Sequence, residues 1–135
     1  MKHYFLIIVV VFISQFGFTQ ENKMATNAIT EDNLIYDSKG LEKKPDYPGG
    51  LNAFYSFISK TYKVPNVKGL KGKVIVMFVI EKDGSLTDIK VLKDIGYGTG
   101  DEAIRVLKIC EKWTPGEQNG KKVRVKYALP IALQN

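Results

Sequence analysis

A chain of 135 residues, 44% hydrophobic and 25% charged, is sized for one domain around one core. Its 20 basic against 14 acidic side chains give a formal net charge of +6. A single cysteine, Cys110, excludes an internal disulfide, and a single histidine, His3, leaves almost no histidine chemistry.

The N-terminus comes first in the chain and decides much of the rest. Lys2 and His3 precede an apolar run from Tyr4 to Ile13, and the more polar Ser14 to Gln20 follows with the small residues Gly17 and Thr19. That order predicts a signal peptide over residues 1–19. The competing reading is a retained anchor, but the run of about 10 apolar residues falls short of the roughly 20 that a spanning helix needs. Cleavage removes His3 and Lys2, leaving 19 basic and 14 acidic residues and no histidine. A Ser-His or Cys-His nucleophile pair and nearly every histidine-containing metal site then drop out. In an exported chain the positive charge points to an acidic protein partner, an anionic envelope surface or solubility rather than to nucleic acid.

Residues 20–44 are polar with singly scattered apolar positions, and read as a flexible lead-in with one short turn or strand around Leu34 to Tyr36. The domain, 45–135, opens at Pro45-Asp46-Tyr47-Pro48-Gly49-Gly50, a turn that feeds a helix. Leu51, Phe54, Tyr55, Ile58 and Tyr62 share one face of that helix, which Val64-Pro65 stops. Lys73 to Ile80 carries β-branched residues on both faces and predicts a central strand. Asp83-Gly84 turns the chain into a second strand, Leu86 to Leu92. A glycine-rich loop, Ile95 to Gly100, opens a second helix at Asp101-Glu102, with Ala103, Val106, Leu107, Cys110 and Trp113 on one face and Thr114-Pro115-Gly116 as the stop. Val123, Val125, Tyr127, Leu129 and Ile131 then alternate with Arg124, Lys126, Ala128 and Pro130, the pattern of a strand with one buried face. The order helix, strand, strand, helix, strand predicts an α+β fold: a three-stranded antiparallel sheet with two helices packed on one face.

The sequence offers no catalytic residue. Gly96, Gly98 and Gly100 sit where phosphate-binding loops occur, yet Asp101 and Glu102 at the helix start would repel a phosphate. Glu81, Asp83 and Asp88 lack the spacing of a calcium loop, and Asp83 is accounted for as a turn residue. The expectation is a non-enzyme without metal or cofactor. The basic cluster Lys121, Lys122, Arg124 and Lys126 has two readings. Lysines blunt a sheet edge against aggregation, or they steer an acidic segment that adds as a strand.

Residues 45–135 resemble the C-terminal domain of the TonB family. The resemblance is carried by Tyr47-Pro48-Gly49-Gly50, the Gly72 to Ile80 strand, Asp83-Gly84-Ser85, Asp88 to Leu92, Glu102 to Leu107, Trp113-Thr114-Pro115-Gly116, Gly120-Lys121 and the strand through Leu129-Pro130-Ile131. It implies a periplasmic protein-binding domain in energy-dependent transmembrane transport, whose last strand pairs with the TonB box of outer-membrane receptors. On that basis the partner-binding residues are Val123, Arg124, Val125, Lys126, Tyr127, Ala128 and Leu129, with Tyr47 and Pro48 beside them. The alternative is a free periplasmic interaction module that binds another envelope protein without transducing energy. No nucleic-acid partner is expected, and membrane contact follows only from an uncleaved N-terminus. An exposed edge also leaves a homodimer open.

Overall fold

A computed structural model describes residues 30–135, so the signal peptide expected over 1–19 and the first part of the expected lead-in, 20–29, lie outside the described residues. The elements are a three-residue 3-10 turn, Glu31–Asn33, then β1 (Ile35–Asp37), α1 (Leu51–Thr61), β2 (Lys71–Ile80), β3 (Leu86–Lys93), α2 (Thr99–Ile109), β4 (Gly116–Gln118) and β5 (Lys121–Gln134). The three expected strands are β2, β3 and β5, and the two expected helices are present. Two further short strands, β1 and β4, bring the sheet to five and make it mixed rather than purely antiparallel. β1 falls where a short turn or strand was expected around Leu34 to Tyr36, while β4 was not anticipated, because three residues are too few to show a period.

The strand order is β1-β5-β2-β3, with β4 paired to the start of β5. β2 is central. Its ladder with β5 is antiparallel and runs unbroken from Lys71↔Gln134 to Ile80↔Val125, while its ladder with β3 shifts register twice. One shift falls at Asp88, a non-glycine residue at φ 50, which is where a bulge places its extra residue.

The even-numbered residues of β2, Val74, Val76, Phe78 and Ile80, are fully buried and meet Leu129, Ile131 and Leu133 of β5. Phe54 and Ile58 of α1 and Ala103, Val106 and Leu107 of α2 close over them, so both helices lie on one face. On the other face Ile75 and Met77 are half-buried and Val79 is buried. The helices are tied together at one end. Tyr62 at the C-terminus of α1 donates its hydroxyl to the Thr99 carbonyl, and burial, with Glu102 and Asp94 adding, pushes the phenol up to about 12. Glu102 accepts the Lys63 N–H and both donors of Arg105, and Arg105 also reaches the Thr61 carbonyl. Glu102, one of the two acids at the start of α2, thus serves the packing of α1 on α2 as well as the helix dipole.

Trp113 was expected on the face of the second helix, but α2 ends at Ile109 and Trp113 lies in the loop beyond. It is buried all the same, ringed by Phe54, Tyr127, Tyr47 and Phe78 with centroids 4.8, 5.4, 5.7 and 5.9 Å away. Cys110, read as a small apolar core residue, is half-buried against this core, and burial pushes its thiol up.

The second half of the lead-in is not loose. After β1 the chain turns at Gly40, then bridges Lys43↔Glu117 and Asp46↔Thr114 before entering the core at Tyr47. Main-chain bonds to β4 and to Thr114 order residues whose side chains gave no pattern.

Candidate functional site

The last strand combines a buried face with an outer edge. Val123, Val125, Leu129, Ile131 and Leu133 point into the core, while Lys126, Ala128, Pro130, Ala132 and Gln134 are exposed. Main-chain groups alternate in the same rhythm. Asn135 donates its N–H to the Leu70 carbonyl on the β2 side, which assigns the odd positions to β2. The even positions therefore turn their N–H and C=O groups outward, away from β2. Pro130, which has no N–H to give, sits at an outward position and leaves the β2 ladder intact.

That edge is part covered and part open. β1 lies against it in parallel, with pairs Ile35↔Arg124, Tyr36↔Val125 and Asp37↔Lys126. Among the described residues, no strand pairs with the outward side from Tyr127 to Gln134. Beside this stretch runs α1, and a groove of about 480 Å³ separates the two, lined by Tyr55, Ser59, Tyr62, Val64, Ile131 and Leu133 among others. Tyr55 and Val64 are 45% and 40% exposed, large apolar groups left open beside an unpaired edge.

The residues singled out from the sequence fall into three groups. Arg124, Lys126 and Ala128 carry the outward main-chain groups. Val123, Val125 and Leu129 are buried beneath them, and Tyr127 is half-buried, stacked on Phe78 at 5.6 Å and facing Trp113. Tyr47 is a core residue packed on Phe54 and Trp113, and Pro48 next to it is exposed. Tyr47 thus reaches β5 through the Trp113 ring rather than at the edge.

The basic cluster is not uniform. Arg124 is held by Glu81 through two bonds, Nε to Oε2 at 2.7 Å and Nη2 to Oε1 at 3.0 Å, with both side chains mostly shielded. Thr87 adds its hydroxyl to the same carboxylate. The Arg124 hydrogen bonds, and to a lesser degree that of Thr87, hold the Glu81 carboxyl below its ordinary value against the opposing effect of burial. Glu81 was read only as one of three scattered acids, and the stretch around Leu34 to Tyr36 only as a short turn or strand without a partner. Nothing in the sequence pairs either with residue 124, some 43 and 90 positions away.

Because the Glu81 value is lowered in the fold, its contribution to stability is complete above the unfolded carboxyl value and is lost as pH falls through the folded one. We expect Glu81→Gln to lower the melting temperature at pH 7 and to flatten its decline between about pH 5 and pH 3, as measured by thermal circular dichroism. An acid limb as steep as that of the unsubstituted chain would show that other carboxylates carry it.

Among the described residues, no group of His, Cys, Asp and Glu is placed to hold a metal, and no helix is long and apolar enough to cross a membrane.

Residues 66–132 match the family model described as Gram-negative bacterial TonB protein C-terminal. Two curated relatives are the Protein TonB of Helicobacter pylori strain J99, 29% identical over 118 residues, and that of strain 26695, 30% identical over 77 residues. These matches cover 84% and 57% of this chain, but only 36% and 22% of the relatives, so the chain spans about a third of their length or less. Among solved structures, the H. pylori TonB C-terminal domain matches at 26% identity with a TM-score of 0.45, over 63% of this chain and 79% of that one. The Pseudomonas aeruginosa TonB C-terminal domain matches at 23% identity with a TM-score of 0.36, over 55% and 83%. The residues that form α1's exit, the β2–β3 hairpin, α2 and most of β5 are those the family model spans, and through them the chain belongs to the family of TonB C-terminal domains.

Proposed function

We infer that this is a periplasmic protein-binding domain whose last strand takes up the TonB box of outer-membrane receptors, within energy-dependent transmembrane transport. The observation that carries the reading is the outward edge of β5, whose N–H and C=O groups lie unpaired beyond Lys126 beside an apolar groove. An extended segment gains main-chain bonds along such an edge and places alternate side chains into the groove. In this reading Arg124, Lys126 and Ala128 supply the outward groups of the 123–129 stretch, Val123, Val125, Tyr127 and Leu129 hold it from the core side, and Tyr47 and Pro48 support the approach. No step of the proposed function needs a catalytic group, a metal or a cofactor. Anchoring and force transfer depend on whether residues 1–19 are removed, which mass spectrometry of the exported protein reads directly.

The edge is tested at Ala128, whose side chain is exposed and whose N–H faces outward. We expect Ala128→Pro to leave the melting temperature within a few degrees and to weaken binding of receptor N-terminal segments tenfold or more, since it removes an outward donor without touching the β2 ladder. Lys126→Ala should weaken binding only a fewfold, with the difference vanishing at high salt. Binding by isothermal titration calorimetry that is unchanged in the proline variant would rule out strand addition at this stretch. Val125→Pro is not a usable test, because Val125 is fully buried and paired with Ile80, so that proline would damage the fold itself.

A further inference from the structure

Part of the β5 stretch that a partner is proposed to use, Arg124 to Lys126, is already paired with the chain's own lead-in, and we propose that β1 is a displaceable internal ligand that gates the edge. This rests on the reading of β5 as the partner's strand. An outward row of N–H and C=O groups can pair with one strand at a time, and β1 takes Arg124 to Lys126 out of the 123–129 stretch. Alternation along β5 sends the outward groups of Arg124 and Lys126 to the β1 side, so Tyr36, opposite Val125, is the residue that bridges them. This is the bonding pattern an added parallel strand would make.

β1 is built to leave. It has three residues, none of them in the core, and Ile35 is 46% exposed. The turn before it is held by an exposed ion pair between Asp32 and Lys82 at 2.8 Å and by a long contact of 3.5 Å from Arg124 to the Asn33 carbonyl. The first attachments downstream are at Glu42, whose N–H donates to the Gln118 side chain and whose carboxylate accepts the Asn119 N–H, followed by the Lys43↔Glu117 and Asp46↔Thr114 bridges, with Gly40 at φ 82 between them and β1. Residues 35–37 can thus swing off the edge about Gly40 without disturbing Tyr47 or any other core residue. Arg124 keeps its bonds to Glu81 when β1 departs, so the strand beneath stays in place. The far part of the edge is interrupted by Pro130, whereas the part under β1 has its full set of outward donors. β1 therefore occupies the stronger half of the site, at the high local concentration that a short tether confers.

Two variants move this gate in opposite directions. Tyr36→Pro removes the bridging N–H and frees the edge. The pair Asp37→Cys and Lys126→Cys, directly opposite each other in the register, locks β1 in place when oxidised. Two probes are titrated by NMR: synthetic N-terminal segments of outer-membrane receptors, and a peptide copying residues 33–39 of this chain. Gating predicts that Tyr36→Pro binds receptor segments about tenfold more tightly than the unsubstituted chain, and that the oxidised pair binds them at least tenfold more weakly and recovers on reduction. It also predicts that the 33–39 peptide shifts the Lys126 and Ala128 amides only in Tyr36→Pro. Receptor segments that bind all forms equally would overturn the gate and leave the edge reading standing. A 33–39 peptide that binds Tyr36→Pro while no receptor segment binds any form would leave the gate standing and remove the receptor reading. A 33–39 peptide that fails on every form would overturn the gate.

Discussion

Gly84→Ala is expected to cost the domain about 3 kcal/mol or more, a large share of the roughly 5–15 kcal/mol that holds a domain of this size together. Gly84 lies at φ +84, where an alanine is strained by about 1 kcal/mol. The larger cost is steric. A Cβ at this position would come 1.8 Å from the Trp113 carbonyl oxygen and 2.9 Å from its carbon, and backbone cannot step aside as the tip of a flexible side chain can. Relief requires moving the hairpin away from Trp113, which breaks the bond from the Trp113 N–H to the Gly84 carbonyl at 2.8 Å and unseats the ring that four aromatics surround. The same glycine also closes the turn by donating to Glu81. Urea unfolding monitored by tryptophan fluorescence measures the effect; a loss under about 1 kcal/mol would mean that the φ alone matters and that the 81–85 turn is free to shift.

Trp113→Ala should destabilise by about 3–5 kcal/mol, the range for deleting a buried large aromatic. The ring is 3% exposed and sits where four elements converge, against Tyr47 of the opening turn, Phe54 of α1, Phe78 of β2 and Tyr127 of β5. Edge-to-face geometry with Tyr47, Phe54 and Phe78, at interplanar angles of 70°, 67° and 61°, adds to the area that is buried. Trp113→Phe separates packing from polarity. The buried indole N–H makes no well-formed hydrogen bond, only a weak approach to the Cys110 thiol, so removing it relieves a poorly met donor and offsets part of the volume lost. We expect Trp113→Phe to cost less than half of what Trp113→Ala costs, by chemical denaturation. Equal losses would show that the N–H does contribute, through a contact that its surroundings supply.

These two residues also show how far a linear reading reaches. Asp83-Gly84 is recognisable as a turn from the dipeptide, whereas Trp113-Thr114-Pro115-Gly116, read as the end of the second helix, lies in the loop after α2 has ended at Ile109. That the glycine lacks a side chain because another main chain passes through that space is a fact about two segments 29 residues apart. No local pattern contains it. The helices and the three long strands were legible within a residue or two at most ends because their apolar periods run for several turns or pairs. At the candidate site, the alternation from Val123 to Ile131 told which side chains are buried, and the exposed positions told which residues border the outward groups.

What the sequence alone determined is the set of faces: which side of each helix and strand seeks the core, the β2–β3 hairpin, and a chain too poor in histidine and cysteine for the common catalytic and metal sites. What only the tertiary structure decided is what each edge meets. β1 on Arg124 to Lys126, Glu81 on Arg124, and β4 on the start of β5 are pairings of main-chain groups and single charges that every residue or many residues can make. Burial is written in side-chain type and repeats along the chain, so it can be read residue by residue. Pairing is set by which backbone the fold brings alongside an open row of N–H and C=O groups, and that depends on the path of the whole chain.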